Sequence, residues 1–472
     1  MADSYEVVVV GAGPNGLTAA TCLARAGYRV LVMEAKGVAG GGCRTAELTL
    51  PKFHHDVCAA IHPMGLASPV FRELELERHG LEWVRCPLPL AHAFSSGSAA
   101  VLERSLEATA SALGRDGPAW RDLLRPFVDS HDAFFEDILR PIRWPKHPLL
   151  MARFGAVAVR SCANVIRRFH TKGARALFAG CAAHSFLPLE ALASASFGLA
   201  LAVAAHAFDW PCARGGSQAI VDALLRCLCE HGGALQTDTV VRSLGDVPES
   251  RAVLFDLTPR QIAAIAGEAL PSGYRRRLER FRYGPGVFKI DWALRGPIPW
   301  KNPDCRRAAT VHIGESFEEI AASEDDAFHG RVSERPFVLV AQQSLFDATR
   351  APAGQHTGWA YCHMPHGCDL DVTARIEQRI EACAPGFRDQ ILARHVMTSS
   401  DIERHNANMI GGDIGGGANV LRQFLFRPVP RWNPYTTPNP RLFLCSSSTP
   451  PGGGVHGMCG YWAAQAVLRR LG

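Results

Sequence analysis

The sequence predicts an α/β protein that opens with a parallel sheet and carries a second domain inserted along the chain. Residues 6–16 read EVVVVGAGPNG, four consecutive valines followed by three spaced glycines. An alanine-rich segment of helical character, LTAATCLARAG, comes next, and a second apolar stretch, YRVLVMEA, follows it. This succession of strand, glycine turn, helix and strand is typical of a Rossmann-like dinucleotide-binding domain.

The first strand and its glycines predict a phosphate-binding turn. The valines show no polar alternation, as expected of a parallel strand buried on both faces. In G-x-G-x-x-G, Gly11 permits the tight turn, Gly13 lets a pyrophosphate approach the backbone, and Gly16 lets helix and strand pack closely. The helix N-terminus then offers free N–H groups to the phosphates. We therefore expect residues of this turn to contact the cofactor, namely Gly11, Ala12, Gly13, Pro14, Asn15 and Gly16.

A carboxylate and a second glycine cluster follow the second strand. Glu34 stands where an acid can bind the ribose hydroxyl pair of a dinucleotide. The next residues read AKGVAGGGCRT, a short link, three glycines and an arginine. We expect Glu34, with Ala35 next to it, to contact the cofactor.

Segments along nearly the whole chain resemble the phytoene desaturase-related flavoproteins of the amine oxidase superfamily. They include GAGPNGL, ELTLPKFHHDVCAAIHP, ARGGSQAI, YGPGVFKIDWAL, GGDI and STPPGGGVHGMCGYWAA. Within that superfamily the chain most resembles the branch named after pyridine nucleotide-disulfide oxidoreductase domain-containing protein 2. The resemblance implies a glutathione reductase/amine oxidase-type fold that binds FAD without a covalent link.

The resemblance also assigns the second glycine cluster and two later segments to the FAD site. The contacts that it implies in the second cluster are Gly41, Gly42, Cys43 and Arg44. GGALQTDTVVRSL (232–244) looks like the strand pair that holds the adenine, with Val241 at the contact position. The C-terminal glycine-rich turn is similar to the segment that closes over the flavin ring and ribityl chain. Its predicted contacts are Ser447, Gly453, Gly454, Val455 and His456.

Two other kinds of redox chemistry are not expected. GGDIGGG at 411–417 has no apolar strand before it and no amphipathic helix after it, so a separate NAD(P)H domain is not predicted. Disulfide exchange needs a second thiol near the first. The fifteen cysteines are scattered, and the next cysteine along the chain after Cys43 is Cys58. Disulfide exchange is therefore not predicted.

The resemblance divides the chain into a discontinuous FAD-binding domain and two insertions. The predicted FAD-binding domain comprises residues 1–75, 211–284 and 431–472. Residues 76–210 are predicted to be a mainly helical substrate or cap insertion, because their apolar residues recur at helical spacing. Residues 285–430 contain strand-like runs and are predicted to form a sheet-containing substrate domain.

Four residues are candidates for catalysis. Lys289 occupies the place where amine oxidases have a lysine that holds a water against flavin N5; the alternative is a lysine at a strand end in solvent. Asp56 and His62 match a segment beside the flavin ring. His456 is expected at the turn facing the flavin, where it either takes a proton near neutral pH or serves as a structural donor.

Further polar and aromatic residues have assignments that remain open. Trp359, Tyr361 and His363 alternate along a strand and either line the substrate cavity or pack in the sheet core. His54, His55, Asp56 and His62 are metal-ligand types, but neighbouring side chains of an extended segment point to opposite faces, so no metal is predicted.

The leading hypothesis is an FAD-dependent dehydrogenase, desaturase or oxidase. It takes hydride from a largely apolar, isoprenoid- or carotenoid-like molecule onto flavin N5 and passes electrons to oxygen, a quinone or a carrier. Alkene saturation, a flavin amine oxidase, and an FAD-binding partner or scaffold protein with little turnover are the alternatives.

Charge and composition suggest where the protein acts. The formal net charge of +5 is small for 472 residues and no basic run reaches five residues, so no nucleic acid is expected. MADSYE leads directly into a strand and the cysteines form no disulfide framework, which predicts a cytoplasmic protein. The apolar stretch 186–208 is expected to be a helix that is buried or faces an apolar cavity. Peripheral membrane contact and homo-oligomerisation are left open.

Overall fold

A computed structural model describes residues 5–472; residues 1–4, which belong to the first predicted FAD segment, lie outside it. The strands are Val7–Val10 (β1), Val30–Met33 (β2), Thr45–Glu47 (β3), His54–Asp56 (β4), Trp83–Val84 (β5), Leu88–Ala93 (β6), Ala99–Leu102 (β7), Cys212–Ala213 (β8), Ala234–Gln236 (β9), Ala252–Phe255 (β10), Gly286–Leu294 (β11), Ala308–Ile313 (β12), Val338–Ala341 (β13), His356–Met364 (β14), Ile391–Met397 (β15) and Leu442–Leu444 (β16).

The α-helices occupy both the N-terminal unit and the insertions. They are Pro14–Arg25 (α1), Pro63–Ala67 (α2), Pro69–Glu73 (α3), Leu106–Ala112 (α4), Gly117–Val128 (α5), His131–Ile138 (α6), Pro148–Ala158 (α7), Cys162–Val165 (α8), Lys172–Ala183 (α9), Ser194–Ala207 (α10), Gln218–Glu230 (α11), Pro259–Ala266 (α12), Ser272–Glu279 (α13), Phe317–Phe328 (α14), Thr373–Cys383 (α15), Ser399–His405 (α16), Leu421–Phe426 (α17) and Met458–Leu471 (α18).

The valine run forms the centre of a five-stranded parallel sheet with strand order β16-β10-β1-β2-β9. All four residues of β1 are buried, as a parallel strand covered on both faces requires. Helix α1 packs between α11 and α18 on one side of this sheet. A side chain at Gly460 of α18 would collide with the backbone of Asn15, so this glycine permits the close approach of α18 to α1.

The inserted segments form a seven-stranded mixed sheet with order β15-β11-β14-β13-β12-β6-β7. Only β12 and β6 pair in parallel; the other neighbours are antiparallel. Residues 76–210, predicted to be mainly helical, therefore also supply β6 and β7 to this sheet. Both strands are short and contain several alanines, so their period-2 pattern is weak.

One apolar core connects the two sheets. It includes Val7 and Val9 of the parallel sheet together with Val287 and Tyr361 of the mixed sheet, and the inserted helices α9 and α10. The opposite face of the mixed sheet packs against α15 in a second core. The shared core places one face of the mixed sheet against the dinucleotide-binding unit.

Two elements differ from the predicted pattern. Within the apolar stretch 186–208, only Ser194–Ala207 is helical, because Phe186 and Ala193 have positive φ and interrupt the helix. In 232–244 only β9 is a strand, since Asp238 at φ 52° turns the chain away from the expected second strand.

Among residues 5–472 no single helix is both long enough and apolar enough to cross a membrane. One pair of helices, Pro148–Ala158 and Cys162–Arg168, meets the length and composition criteria jointly, with a bend of 98° between them.

Candidate active site

The glycine turn lies at the carboxyl edge of the parallel sheet, between β1 and α1. Gly11 has φ 101°, and a Cβ there would lie 2.9 Å from the backbone oxygen of Asp256. A Cβ at Gly16 would collide with the carbonyl oxygen of Gly11. Glycine is therefore required at both positions by backbone packing, in agreement with the steric roles expected of this motif.

At Gly13 the close neighbour is a carboxylate. A Cβ on Gly13 would lie 2.5 Å from Oδ2 of Asp256, a residue that directly follows β10. The same oxygen accepts the Gly16 N–H at 3.0 Å. Burial raises the pKa of Asp256 to about 7, and the charge of Glu34 adds to that rise, while the bond from Gly16 opposes it. An acid thus lies beside the backbone where the sequence predicts phosphates.

Glu34 links the two glycine clusters. One of its carboxylate oxygens accepts the Ala12 N–H at 2.9 Å; the other accepts the Lys36 N–H at 3.0 Å and Nη2 of Arg44 at 3.2 Å. Both Glu34 and Arg44 are buried, so this ion pair holds the end of β2 against the second cluster.

The second glycine cluster forms a 3-10 turn, Gly41–Cys43, that lies against the first. A Cβ at Gly41 would lie 3.2 Å from Cα of Gly13, so the two glycine motifs meet. Cys43 is fully buried, whereas Ala35 is exposed. Asn15 is buried and its Oδ1 has no hydrogen-bond partner among the described residues.

The C-terminal turn presents exposed glycines next to a buried histidine. Gly453 and Gly454 are exposed, Val455 and Ser447 are half-buried, and His456 is buried. Nδ1 of His456 accepts the Met458 N–H at 3.0 Å at the start of α18, and burial lowers the pKa of His456 to about 4. The histidine is therefore neutral near pH 7 and its geometry is that of a structural acceptor.

Val241 does not lie in a strand. It is buried in an apolar cluster with Val10 and Val253 on the α12–α13 side of the parallel sheet. Its predicted contact with an adenine ring remains a prediction.

Asp56 is held in a buried ion pair with Arg350. The two Nη atoms of Arg350 reach both carboxylate oxygens of Asp56, which also accept bonds from Thr45 and the Ser217 N–H. Burial by itself would raise the pKa of Asp56, but the charge and hydrogen bonds of Arg350 and the bond from the Ser217 N–H bring the pKa below its ordinary value. With its oxygens committed to these partners, Asp56 joins three segments of the chain.

His62 is also committed to a structural contact. Its Nε2 lies 2.9 Å from Oγ of Ser217, and burial lowers the pKa of His62 to about 4. The geometry of Asp56 and His62 gives no support to the catalytic roles predicted for them, which remain predictions.

Lys289 lies on the face of the mixed sheet that is turned toward the parallel sheet, and it borders a small enclosed cavity. The cavity is lined by Val57, Cys58, Val287, Lys289, Trp359, Tyr361, Met397, Ile402, His405, Met409 and Ile414. Strand pairing sets Lys289 opposite Tyr361, and Asp291 opposite Trp359. The rings of Trp359 and Tyr361 meet edge to face, with centroids 5.2 Å apart at 76°.

Lys289 is buried and forms a short ion pair with Asp291, two residues along the same strand. Its Nζ lies 5.9 Å from the centre of the Trp359 ring. His55 Nδ1 lies 3.6 Å from the remaining oxygen of Asp291, and burial lowers the pKa of His55 to about 4 although Asp291 opposes that shift. The alternative of a solvent-exposed lysine at a strand end is wrong, because bulky apolar side chains surround it.

His363 does not line this cavity. Its Nδ1 lies 2.6 Å from a carboxylate oxygen of Glu324 of α14, and both side chains are buried. Its ring centre lies 4.0 Å from that of Phe186, with the two rings tilted by 39°. His363 shares the strand face of Tyr361, but at the end of β14 that face is covered by α14 and by the segment before α10. The prediction that His363 lines the cavity is therefore wrong. Alternation along one strand gives the face of the sheet on which a side chain lies, but not the elements that pack over that face.

The histidine-rich segment 54–62 provides no metal site. In the part of the chain that the structure describes, no group of three or more His, Cys, Asp or Glu side chains is arranged to hold a metal ion.

Comparisons with known proteins found sequences and structures that are similar to this chain. Residues 9–74 match the NAD(P)-binding Rossmann-like domain. The chain is 27% identical to pyridine nucleotide-disulfide oxidoreductase domain-containing protein 2 of Rattus norvegicus, over 99% of this chain and 94% of that protein. It is 25% identical to phytoene desaturase (neurosporene-forming) of Rhodobacter capsulatus, over 52% and 51% of the two chains. The chain is thus similar along its length to proteins whose names include an oxidoreductase domain, and over about half of its length to a phytoene desaturase.

The fold of this chain is similar to that of solved amine oxidase structures. A solved structure of putrescine oxidase covers 99% of both chains with a TM-score of 0.63 at 16% sequence identity. A Rossmann-like dinucleotide-binding unit with an inserted mixed-sheet domain, as predicted from the sequence, is thereby confirmed.

The residues of this chain fit a dinucleotide at the carboxyl edge of the parallel sheet. The two glycine motifs meet there, Gly453 and Gly454 leave backbone exposed, and Asn15 carries an unpartnered amide oxygen. Asp256 was missed by the sequence analysis. The sequence pattern that could have identified Asp256 is an acidic residue directly after the apolar run AVLF, just as Glu34 directly follows VLVM.

Proposed function

We propose that this chain binds FAD non-covalently and catalyses the oxidation of a largely apolar small molecule. Support comes from the joined glycine motifs and from relatives named as a phytoene desaturase and an oxidoreductase domain protein. The turn before α1, Glu34 with Arg44, and Gly453–Gly454 would hold the cofactor. When bound, the flavin ring supplies a hydride acceptor.

The observation that carries the substrate class is the composition of the cavity around Lys289. Eight of its lining residues are apolar or aromatic: Val57, Val287, Trp359, Met397, Ile402, Met409, Ile414 and, apart from its hydroxyl, Tyr361. No carboxylate is among the described residues that line it, so an ammonium group would find no counter-ion there. An uncharged, apolar molecule is the substrate that such a wall binds at least cost.

Lys289 would give this apolar cavity its one positive charge. Asp291 compensates that charge from the same strand, so the ammonium can remain buried. A cation fixed at this place stabilises negative charge that develops nearby during the reaction, and it needs no rearrangement to do so. Oxygen, a quinone or a carrier would receive the electrons.

The first experiment is the visible absorption spectrum of the purified protein, before and after denaturation, with identification of any released cofactor. Flavin bands and free FAD are expected. A colourless protein that does not take up added FAD would refute the cofactor assignment and favour a partner protein without turnover.

Anaerobic titration then identifies the substrate class. An isoprenoid alkene should bleach the flavin absorbance, whereas a straight-chain diamine should not. Bleaching by the diamine alone would favour the second candidate, a flavin amine oxidase; the perpendicular aromatic pair of Trp359 and Tyr361 is the observation on its side. Bleaching by neither compound would favour the scaffold alternative.

The role of Lys289 is tested by Lys289→Met. We expect flavin reduction or reoxidation to slow by roughly 10²-fold, as when a single charge-stabilising group is removed. Lys52→Met, at an exposed lysine, is the matched control. Unchanged rates in the folded Lys289→Met protein would remove Lys289 from the mechanism.

A further inference from the structure

One stretch of the inserted helical region has a strongly asymmetric charge. Between Asp137 and Glu190 the sequence contains no aspartate or glutamate, but it contains nine lysines and arginines. The whole chain carries a formal net charge of only +5. This region therefore concentrates positive charge that the rest of the molecule offsets only in part.

Helix α7, in the middle of this stretch, turns an apolar face outward. Leu149, Ala152, Arg153, Ala156 and Val159 are exposed and follow one another at helical spacing. The opposite face packs inward, where Phe154 contacts Phe127 and Phe134. A surface helix of a globular protein ordinarily presents polar residues to water, whereas the outward face of α7 presents mostly apolar ones.

Neighbouring segments extend this face. The exposed fractions are 63% for Ile142, 85% for Trp144, 82% for Leu149, 55% for Val159 and 60% for Leu192. Val159 and Leu192 line one open cleft, and the Ala193 N–H donates to the Val159 carbonyl. We call the surface formed by Ile142, Trp144, Leu149, Val159 and Leu192, with the arginines between them, the basic apolar face.

The arginines of the basic apolar face lack ionic partners within the protein. Arg143, Arg153 and Arg160 are exposed, and no carboxylate among residues 5–472 lies within ion-pair distance of them. Lys146, by contrast, pairs with Glu136. Unpaired cations among large exposed apolar side chains are complementary to a surface that offers both anions and hydrocarbon.

We propose that the basic apolar face docks the protein on the surface of an anionic lipid bilayer. Apolar side chains enter the boundary between headgroups and acyl chains, with Trp144 suited to that boundary, while the arginines bind lipid phosphates. Helix α7 then lies along the membrane plane without crossing it.

This surface differs from the apolar stretch 186–208 that the sequence singled out. Most of helix α10 is buried in the core, where Gly198 packs on Phe178. Docking depends on exposed apolar side chains, and of that stretch only Leu192 contributes a large one. The proposal is independent of the cofactor, so it stands or fails separately from the proposed function.

Flotation of the full-length protein with phosphatidylcholine vesicles, with and without phosphatidylglycerol, tests the proposal. We expect the protein to float with the anionic vesicles and to be released by high salt. Leu149→Glu should abolish flotation. Arg153→Glu should weaken binding by at least about five-fold, the contribution expected of one arginine near an anionic surface. Leu370→Glu, at an exposed leucine outside the face, should float like the unmodified chain.

The folding of each variant is checked by its thermal midpoint, which the exposure of Leu149 leads us to expect unchanged. Two results would overturn the proposal: no flotation of the unmodified protein with anionic vesicles, or equal flotation of Leu149→Glu and Leu370→Glu. A dimer in lipid-free solution that Leu149→Glu dissociates would assign the face to a second copy of the chain instead.

Discussion

Asp256 is a buried carboxyl group at the glycine turn, a position where the sequence predicts phosphates. Its carboxylate is buried against the Gly16 N–H near Glu34, with the pKa raised to about 7. A carboxyl group with a raised native pKa contributes stability at pH values below its unfolded pKa, and that contribution is lost as the pH rises through 7. Wild-type stability should therefore fall between pH 4 and pH 8 on account of this residue.

Asp256→Asn removes that titration and keeps an oxygen that accepts the Gly16 N–H. We expect the variant to exceed the wild type in free energy of unfolding at pH 8 by roughly 2–4 kcal/mol, and the difference to shrink toward pH 4. Urea unfolding at several pH values measures this. A difference that does not change with pH would show that Asp256 does not titrate in this range.

The ion pair between Arg350 and Asp56 yields a second prediction at this scale. Arg350→Met leaves the Asp56 carboxylate buried without its cation, which should lower the free energy of unfolding by about 3–5 kcal/mol. The matched control is Arg78→Met, in an exposed pair with Glu75, for which we expect a loss below about 1 kcal/mol. Similar losses in the two variants would mean that solvent reaches Asp56.

At the scale of a single helix, α7 and α10 differ in the space around their glycines. Gly155 of α7 has nothing within 4 Å of its Cβ position, whereas a Cβ at Gly198 of α10 would lie 3.0 Å from the buried ring of Phe178. Gly155→Ala should raise the free energy of unfolding by about 0.5–1 kcal/mol through helix propensity. Gly198→Ala should lower it by about 1–3 kcal/mol because the core becomes overpacked.

Thermal or urea unfolding of these two variants compares the helices directly. Stabilisation by Gly198→Ala would mean that Phe178 and Ala182 move aside freely and that the contact between α9 and α10 is loose.

At the scale of the whole molecule, cofactor binding should stabilise the fold. The proposed FAD site joins segments near both ends of the chain. A ligand that binds only the folded state therefore raises the free energy of unfolding of the whole molecule. At a hundred-fold excess over its dissociation constant, FAD should add about 2.7 kcal/mol and raise the melting temperature of the apoprotein. NADPH at the same concentration should not. A larger shift with NADPH would reassign the site.

Local sequence was sufficient for the first unit of the fold. The valine run, the glycine spacing and the acid after the second strand predicted β1, α1 and β2 because each depends on contacts close in sequence. The short strands β6 and β7 were not predicted, since their neighbours in the sheet lie far away in the chain and their own pattern is weak.

The sequence by itself determined the dinucleotide-binding class of this protein, because glycine backbone freedom and strand burial are encoded residue by residue. Only the tertiary structure decided which basic and acidic side chains pair: Lys289 with Asp291, Arg350 with Asp56, and His363 with Glu324. It also decided that α7, rather than the more apolar 186–208 stretch, presents its apolar side chains to the surroundings. Ion pairs and exposure depend on which distant segments the folded chain brings together, and neither spacing nor composition records that.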